Sequence, residues 1–176
     1  MITIKPVTFD DYRKCLDLKL DTDQEEFLDG VEACLAQAYL ETLDGVAKVD
    51  TFAIYEGEEV VGFVYGTCYN LKESDEGEWE IFYKDFGDRR IYEISAFLID
   101  KTRQRAGVGK AAMKLLLSHI KTTHDDVQSI FIIVLTENAA GLKFFKDFGF
   151  VDVGKKVFDD EYILRLCLKE KICNQL

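Results

Sequence analysis

Proline is nearly absent from this sequence, since Pro6 is the single one among 176 residues. There is also no Gly/Ser-rich stretch, no low-complexity segment and no internal repeat that would mark a linker or a repeat protein. Because nearly half of the residues are apolar, the chain is long enough to bury one substantial core. We predict a single domain over residues 1–176.

Long apolar runs are missing as well. Nowhere do eighteen apolar residues follow one another, which argues against a membrane-spanning helix. The first residues, MITIKPVT, lack the charged and apolar regions of a secretory signal peptide. We therefore expect a cytoplasmic protein that has no membrane partner.

Cysteine and histidine show no ligand motif. The five cysteines form an odd number without a C-x-x-C pair, and four of them lie in apolar patterns, as is typical of reduced core thiols. The two histidines, His119 and His124, flank the end of one predicted helix, so we interpret them as surface or helix-end residues. We expect neither a disulfide framework nor a metal site.

Basic residues are outnumbered by acidic ones, 22 against 33, and the formal net charge of -11 argues against a nucleic-acid partner, which would need a basic surface. Residues 1–90 carry 22 acidic and 9 basic side chains, whereas residues 91–176 carry 11 acidic and 13 basic ones. Ordinary solubility explains this balance equally well. The split also suits an anionic ligand on the C-terminal half and a cation near the N-terminal half.

Apolar periodicity predicts two helices and a hairpin, followed by alternating strands and helices. The first half reads as a short strand (ITIKPVT), a helix through Leu20, a helix over about residues 24–43 and a hairpin around Glu56, Gly57 and Glu58. WEIFY, in the acidic segment 70–90, is a candidate extra strand. IYEISAFLI, SIFIIVL and EYILRLCL read as buried strands separated by two helices. The order predicts a mixed α/β sheet.

Two glycines, Gly107 and Gly109, stand where a polar turn leads into a predicted helix. The start of a helix leaves four N–H groups unpaired and carries partial positive charge, so such a turn can bind phosphate groups. The P-loop pattern fails here, because Gln104 stands in place of its first glycine and Ala111 follows Lys110.

A dinucleotide-binding pattern is matched only weakly. Gly107, Gly109 and Ala112 fit G-x-G-x-x-[GA], but seven mostly polar residues separate them from the preceding strand. Glu137 lies about ten residues beyond the usual position of the acidic partner, and too little sequence follows for a second nucleotide-binding half.

The C-terminal half resembles the GNAT superfamily of acyl-CoA N-acyltransferases over roughly residues 91–153. Gln104, Gly107 and Gly109 match its Q/R-x-x-G-x-G/A signature, and Asn138 with the FGF of residues 148–150 matches its N...GF signature. More narrowly, FLDGVEACLAQA and YEGEEVVGFVYG are similar to bacterial spermine/spermidine acetyltransferases. The resemblance implies an α/β fold whose central sheet is mixed and mostly antiparallel, with a splayed strand pair and flanking helices.

The resemblance also implies where acetyl-CoA binds. Its pyrophosphate would lie on amides of the glycine turn, and its pantetheine arm along the preceding strand, where an amide near Leu98 or Ile99 would polarise the thioester carbonyl. The implied cofactor-binding residues are Phe97, Leu98, Ile99, Gln104, Arg105, Ala106, Gly107, Val108, Gly109, Lys110, Asn138 and Phe145. Arg103, Arg105 or Lys110 would add charge-assisted contacts to the pyrophosphate. The alternatives are that these cations are only solvated turn and helix residues, and that Asn138 is a helix N-cap.

Glu93 is the candidate general base. An amine with a pKa of about 10.4 is mostly protonated at pH 7, and its neutral form costs roughly 4.6 kcal/mol. Strand alternation places Glu93 on one face with Ile91, Ser95, Phe97 and Ile99, where a carboxylate should be less acidic than in water. Many members of the superfamily have a glutamate at this position. A solvated glutamate at the strand entrance is the alternative.

The proton donor departs from the family pattern. Many relatives have a tyrosine at the position of Phe145, and phenylalanine cannot donate a proton. A thiol pKa of about 8.5 means that the thiolate leaves with little help. Tyr92, Tyr162 and Thr136 are substitutes, although each also suits a packing or sheet role.

The acidic half suggests a polyamine as the acceptor. Candidate carboxylates are Glu25, Glu26, Asp29, Glu32 and those of residues 73–80. We predict an N-acetyltransferase that moves the acetyl group of acetyl-CoA directly to a primary amine of a small polycation. A non-catalytic acyl-CoA-binding regulatory domain and an enzyme acting on protein amines are the alternatives. The sequence does not determine the oligomeric state, for which a homodimer is one alternative.

Overall fold

The structure is a computed structural model that describes residues 1–22, 24–27, 29–45, 47–73, 78–155 and 160–169, without the side chains of Glu26 and Glu78. Seven strands and five helices follow one another along these residues in this order: β1 (Ile2–Pro6), α1 (Tyr12–Leu16), α2 (Val31–Asp44), β2 (Lys48–Glu56), β3 (Glu59–Asn70), α3 (Glu78–Glu80), β4 (Arg90–Ile99), α4 (Val108–Thr123), β5 (Ser129–Leu135), α5 (Ala139–Asp147), β6 (Val151–Asp152) and β7 (Glu161–Cys167). Short 3-10 turns lie at Glu25–Phe27 and Lys101–Arg103, and a π-helical turn follows α3 at Ile81–Asp85.

The strands form one sheet in the order β1-β2-β3-β4-β5-β7-β6. β1 pairs antiparallel with β2, and β7 pairs antiparallel with both β5 and β6, whereas β4 and β5 are parallel. This mixed, mostly antiparallel sheet with flanking helices confirms the predicted fold class. None of the described helices is long and apolar enough to cross a membrane.

The described residues group into two compact units. The first unit comprises residues 1–67 and 94–125, and the second comprises residues 68–93 and those from 126 onwards. The strands β3 and β4 contribute residues to both. Each unit is considered separately below.

In the first unit, α2 packs against β2 and α4 packs against β1. α4 buries residues three to four positions apart, as an amphipathic helix does, and they are Val108, Ala112, Met113, Leu116 and Ile120. A separate cluster includes Cys15, Val31, Phe63, Tyr65 and Leu98. Full burial of a large apolar side chain contributes about 1.5–3 kcal/mol, so α4 is held mainly by this packing.

In the second unit, the core combines aliphatic side chains with packed aromatic rings. Phe82 and Phe131 lie with ring centroids 4.5 Å apart, and Trp79 meets Phe131 edge to face at 5.6 Å. Beside them Arg165 Nη2 lies 3.0 Å from Asp88 Oδ2, and both side chains are buried. Burial raises the pKa of Asp88, while bonds from Ser129 and Arg165 act in the opposite direction.

Three local expectations are wrong. The first helix ends at Leu16 rather than Leu20, and the second begins at Val31 after Gly30, which is a poor helix former. WEIFY is helical rather than extended, because its aromatic residues pack on one side of a helical turn in the second unit.

The cysteines follow the prediction in part. Cys15, Cys34 and Cys68 are buried thiols outside any disulfide, and burial raises the pKa of Cys15 and Cys34 to about 11. Cys167 is half-buried at the end of β7. The apolar pattern around it reflects its position in β7 and does not report on its redox state. Cys173 lies outside the described residues.

Candidate active site

Asp100 organises the turn that follows β4. Its Oδ1 accepts a hydrogen bond from the Thr102 N–H at 2.9 Å, and its Oδ2 accepts one from the Lys19 N–H at 2.9 Å. Burial opposes ionisation of this carboxyl, but these hydrogen bonds outweigh burial and hold the pKa of Asp100 below its ordinary value. The charged carboxylate therefore stabilises the entry into the turn.

Gln104 anchors the turn through its side chain. Its Nε2 donates to the Ile99 carbonyl at 3.0 Å and to Gln24 Oε1 at 2.8 Å. Arg103 forms ion pairs with Glu59 and, at 3.6 Å, with Glu56. Both side chains are thus engaged within the first unit, so in this structure their role is to position the turn.

The start of α4 has backbone N–H groups that no described side-chain cap engages. Gly107 is the N-cap of α4 with φ 84°, a left-handed conformation that favours glycine, and no described side chain caps this helix end. The first bond of the helix runs from the Ala111 N–H to the Gly107 carbonyl at 3.1 Å, so the N–H groups of residues 108–110 lack an acceptor within the helix. A Cβ built on Gly107 would meet nothing within 4 Å.

The turn residues differ in what their side chains can offer. Arg105, Ala106, Gly107 and Lys110 are exposed, whereas Val108 is buried in the core. Arg105 also has a positive φ of 60°. The arrangement is an open, positively polarised helix start flanked by two exposed cations, which suits an anionic ligand.

The C-terminal half of β4 packs closely against the neighbouring strand within the first unit. Leu98 is buried, whereas Phe97 and Ile99 are half-buried, so alternate residues face different surroundings. A Cβ on Gly62 would lie 2.5 Å from the Leu98 carbonyl oxygen, and the close backbone approach therefore requires glycine there. Leu98 can reach a ligand only through its backbone.

Glu93 lies at the last paired position between β4 and β5. The parallel register runs from Ile91 opposite Ser129 to Glu93 opposite Phe131, and both strands continue beyond these pairs. Glu93 is half-buried, as are Ser95 and Phe97, while Ile94 and Ala96 between them are buried. Burial therefore alternates from Tyr92 to Ile99, although Ile91, predicted on the face of Glu93, is fully buried.

Asn138 and Phe145 both have structural roles in the second unit. Asn138 is the N-cap of α5, and its side-chain oxygen accepts a hydrogen bond from the Gly141 N–H at 2.8 Å. Phe145 is buried, with its ring centroid 5.3 Å from Phe144 and 5.6 Å from Phe150. The helix-cap alternative for Asn138 is therefore confirmed. A role for either residue towards acetyl-CoA stays a prediction.

The three candidate substitutes for the missing tyrosine proton donor differ in how exposed they are. Tyr92 has no exposed surface, so it is a packing residue. Tyr162 is half-buried, with Lys146 Nζ 6.0 Å from its ring centroid. Thr136 is half-buried, and its N–H donates to the Asp160 carbonyl at 2.7 Å.

The candidate carboxylates are described only in part. Glu25, Asp29 and Glu32 are exposed around the start of α2, while the side chain of Glu26 and residues 74–77 lie outside the described part of the chain. A cavity of about 430 Å³ in the first unit has a lining that includes Asp17, Glu58, Glu59 and Asp100. Glu59 pairs with Arg103 and Asp100 caps the turn, so these two carboxylates are already engaged by groups of the protein.

Comparison with known proteins places this fold and turn among the acetyl-CoA-dependent acyltransferases. Residues 12–150 match the family model of the acetyltransferase (GNAT) family. The chain belongs to this family, and the matched region includes β4, the glycine turn, α4 and α5.

The similarity to known proteins covers most of the chain. A spermine/spermidine N(1)-acetyltransferase of Bacillus subtilis (strain 168) is 27% identical over 164 residues, covering 93% of this chain and 96% of that protein. The spermidine N-acetyltransferase from Vibrio cholerae, solved with CoA and spermine, has a TM-score of 0.65 at 15% identity, covering 94% and 95% of the two chains. The ribosomal-protein-S18-alanine N-acetyltransferase from Escherichia coli has a TM-score of 0.63 at 14% identity, covering 96% and 95%. At these identities the two solved structures show the shared fold alone.

Proposed function

We propose that this protein transfers the acetyl group of acetyl-CoA directly to a primary amine of a small polycation such as a polyamine. The observation that carries the proposal is the likeness to the Bacillus subtilis spermine/spermidine acetyltransferase along 93% of the chain. The acidity of residues 1–90 supports it, because a carboxylate-rich surface attracts a ligand with several positive charges.

The open turn in the first unit supports binding of the anionic part of acetyl-CoA. The N–H groups at the start of α4 would hold the pyrophosphate, and the exposed Arg105 and Lys110 would add charge-assisted contacts. Val108 and Gly109 would contribute their backbone, and Gln104 would hold the turn in place. When bound, acetyl-CoA supplies the activated thioester.

Glu93 would accept the proton that the attacking amine loses. In this step the amine nitrogen bonds to the acetyl carbon, the carbon–sulfur bond breaks, CoA leaves as the thiolate and the amine proton passes to Glu93, directly or through water. The half-buried position of Glu93 supports a base that is partly shielded from solvent. Because a thiolate is a good leaving group, the reaction does not require a proton donor at the position of the buried Phe145.

A thiol-release assay with acetyl-CoA tests the proposal. The acceptors would be spermine, spermidine, a monoamine and a lysine-containing peptide, and we expect the highest kcat/KM for the two polyamines. Turnover restricted to the peptide would identify protein amines as the substrate class. Tight CoA binding without turnover on any amine would identify a regulatory domain instead.

The variant Glu93→Gln tests the assigned base. We expect turnover to fall by about 10²–10⁴-fold, the usual contribution of a general base, with CoA affinity nearly unchanged. The exposed carboxylate of Glu137 provides a matched control, and Glu137→Gln should keep wild-type rates. If Glu93→Gln retains the wild-type rate across the pH range, Glu93 takes no part in proton transfer.

A further inference from the structure

A cluster of two histidines and one carboxylate lies in the first unit, away from the glycine turn. Asp50 belongs to β2, His119 belongs to the last part of α4, and His124 is the C-cap of that helix. Asp50 Oδ2 lies 2.9 Å from His124 Nε2 and 3.3 Å from His119 Nε2. Since a helix rises about 1.5 Å per residue, His119 lies about 17 Å along the axis from the start of α4.

The cluster is well shielded from solvent. The His124 side chain is only 2% exposed, and those of His119 and Asp50 are 26% and 18% exposed. A carboxylate in such surroundings needs nearby hydrogen-bond donors or a cation. The C-terminal end of α4 adds partial negative charge, which also favours a cation.

The three side chains converge as metal ligands do. One nitrogen or oxygen atom from each of Asp50, His119 and His124 lies within 4.8 Å of the others. Ligands held about 2.0–2.2 Å from a tetrahedral Zn²⁺ lie about 3.3–3.6 Å from one another, so small movements of the three side chains would admit the ion. Two imidazoles with one carboxylate suit first-row divalent metals.

A second contact orients one of the rings. His119 Nδ1 lies 3.4 Å from Thr123 Oγ1, which leaves Nε2 directed at Asp50. Histidine ligands of metals characteristically bond a further group through their second nitrogen. The His119 ring also packs edge to face on Phe52 at 4.8 Å, which limits its rotation.

We propose that Asp50, His119 and His124 bind one first-row divalent metal ion, such as Zn²⁺, that ties the end of α4 to β2. Water would complete the coordination, because His119 and Asp50 remain partly exposed. The site is structural and independent of acetyl transfer. It replaces the expectation, drawn from the sequence, of two surface or helix-end histidines without a metal.

Asp50→Asn separates a metal site from a set of hydrogen bonds. The amide oxygen of asparagine still accepts hydrogen bonds from both imidazoles, but it is neutral and a much weaker metal ligand. We expect the full-length, tag-free wild-type protein to bind one equivalent of Zn²⁺, and Asp50→Asn to lose at least about 100-fold in affinity. Asp125→Asn, which removes an exposed carboxylate next to His124, should bind Zn²⁺ like the wild type.

Spectroscopy provides a readout that does not depend on activity. The chain has two histidines, so NMR resolves one set of ring signals from each. One equivalent of Zn²⁺ should shift both sets and raise the melting temperature, and Co²⁺ should produce visible absorption bands that His119→Gln abolishes. The proposal is overturned if the wild type binds no Zn²⁺, if the ring signals do not move, or if Asp50→Asn and His119→Gln, folded by circular dichroism, bind like the wild type.

Discussion

The two ends of α4 are completed in opposite ways. At the N-terminal end Gly107 is exposed and no described side chain caps the helix. At the C-terminal end the His124 N–H donates to the Ile120 carbonyl at 2.9 Å, the Thr122 hydroxyl donates to the Ser118 carbonyl at 3.0 Å, and the buried His124 ring meets Asp50. Both ends carry unpaired backbone groups in an isolated helix, but only one is closed by the protein itself.

This contrast agrees with the position proposed for the exchangeable ligand. An open helix start keeps its partial positive charge available to an anion that binds and leaves, as the donor of an acetyltransferase must. The closed, shielded C-terminal end of α4 suits a structural role, in which hydrogen bonds alone or a bound metal ion hold the helix in place. The following predictions test this contrast, beginning with the largest expected effect.

Leu116→Ala tests whether the two ends depend on a common anchor. Leu116 is fully buried in the middle of α4, and removing such a side chain costs about 2–5 kcal/mol of unfolding free energy. The neighbouring Leu115 is 37% exposed, so Leu115→Ala is the matched control and should cost much less. Urea denaturation measures both. Equal losses would mean that the packing of α4 differs from that described.

Gly107→Glu should weaken CoA binding at the N-terminal end of α4 and leave the C-terminal end of the helix unchanged. A side chain at φ 84° is strained, and its carboxylate would repel the pyrophosphate. We expect CoA affinity to fall by roughly 100-fold, the loss expected when charge-assisted hydrogen bonds worth about 1.5–3 kcal/mol are removed. Calorimetry measures this, with Gly107→Ala as the control for strain. Unchanged CoA affinity in Gly107→Glu would place the donor elsewhere.

Asp100→Asn probes the support of the open end through its pH dependence. The folded-state pKa of Asp100 lies below its ordinary value, so its charged form stabilises the fold above pH about 4, and this contribution disappears as the pH falls through the folded-state pKa. At pH 7 the free energy of unfolding of the wild type should be about 1 kcal/mol larger than that of Asp100→Asn, which is the difference between charged and neutral hydrogen bonds. Denaturation at pH 7 and pH 3 measures the change, and a constant difference would contradict the assignment.

Lys110→Ala should have the smallest effect. Lys110 is exposed in the first turn of α4, where a surface charge contributes about 0.2–1 kcal/mol, so CoA affinity should fall by only about two- to fivefold. The loss should shrink at high salt. Lys114, exposed one turn further along, is the control, and Lys114→Ala should bind CoA normally. Equal losses of CoA affinity in both variants would indicate that the overall electrostatic field of α4, and not a local contact of Lys110, attracts CoA.

Local sequence signals predicted the elements around the turn well. The apolar run of residues 91–99 is β4, and the repeat of Met113, Leu116 and Ile120 forms the buried face of α4. The same approach misjudged WEIFY, whose aromatic residues suit a strand in isolation but pack around Phe131 in a helical turn. The prediction followed the strand propensity of the aromatic residues, whereas their packing around Phe131 determined the structure.

The sequence by itself determined where a glycine turn meets a helix and which family signature surrounds it, because those features involve residues a few positions apart. Only the tertiary structure decided the partners of Gln104 and of the histidines. Gln24 lies 80 positions from Gln104, and Asp50 lies 69 and 74 positions from His119 and His124. Periodicity reports which side of an element is buried, whereas long-range hydrogen bonds form only when folding brings distant segments together.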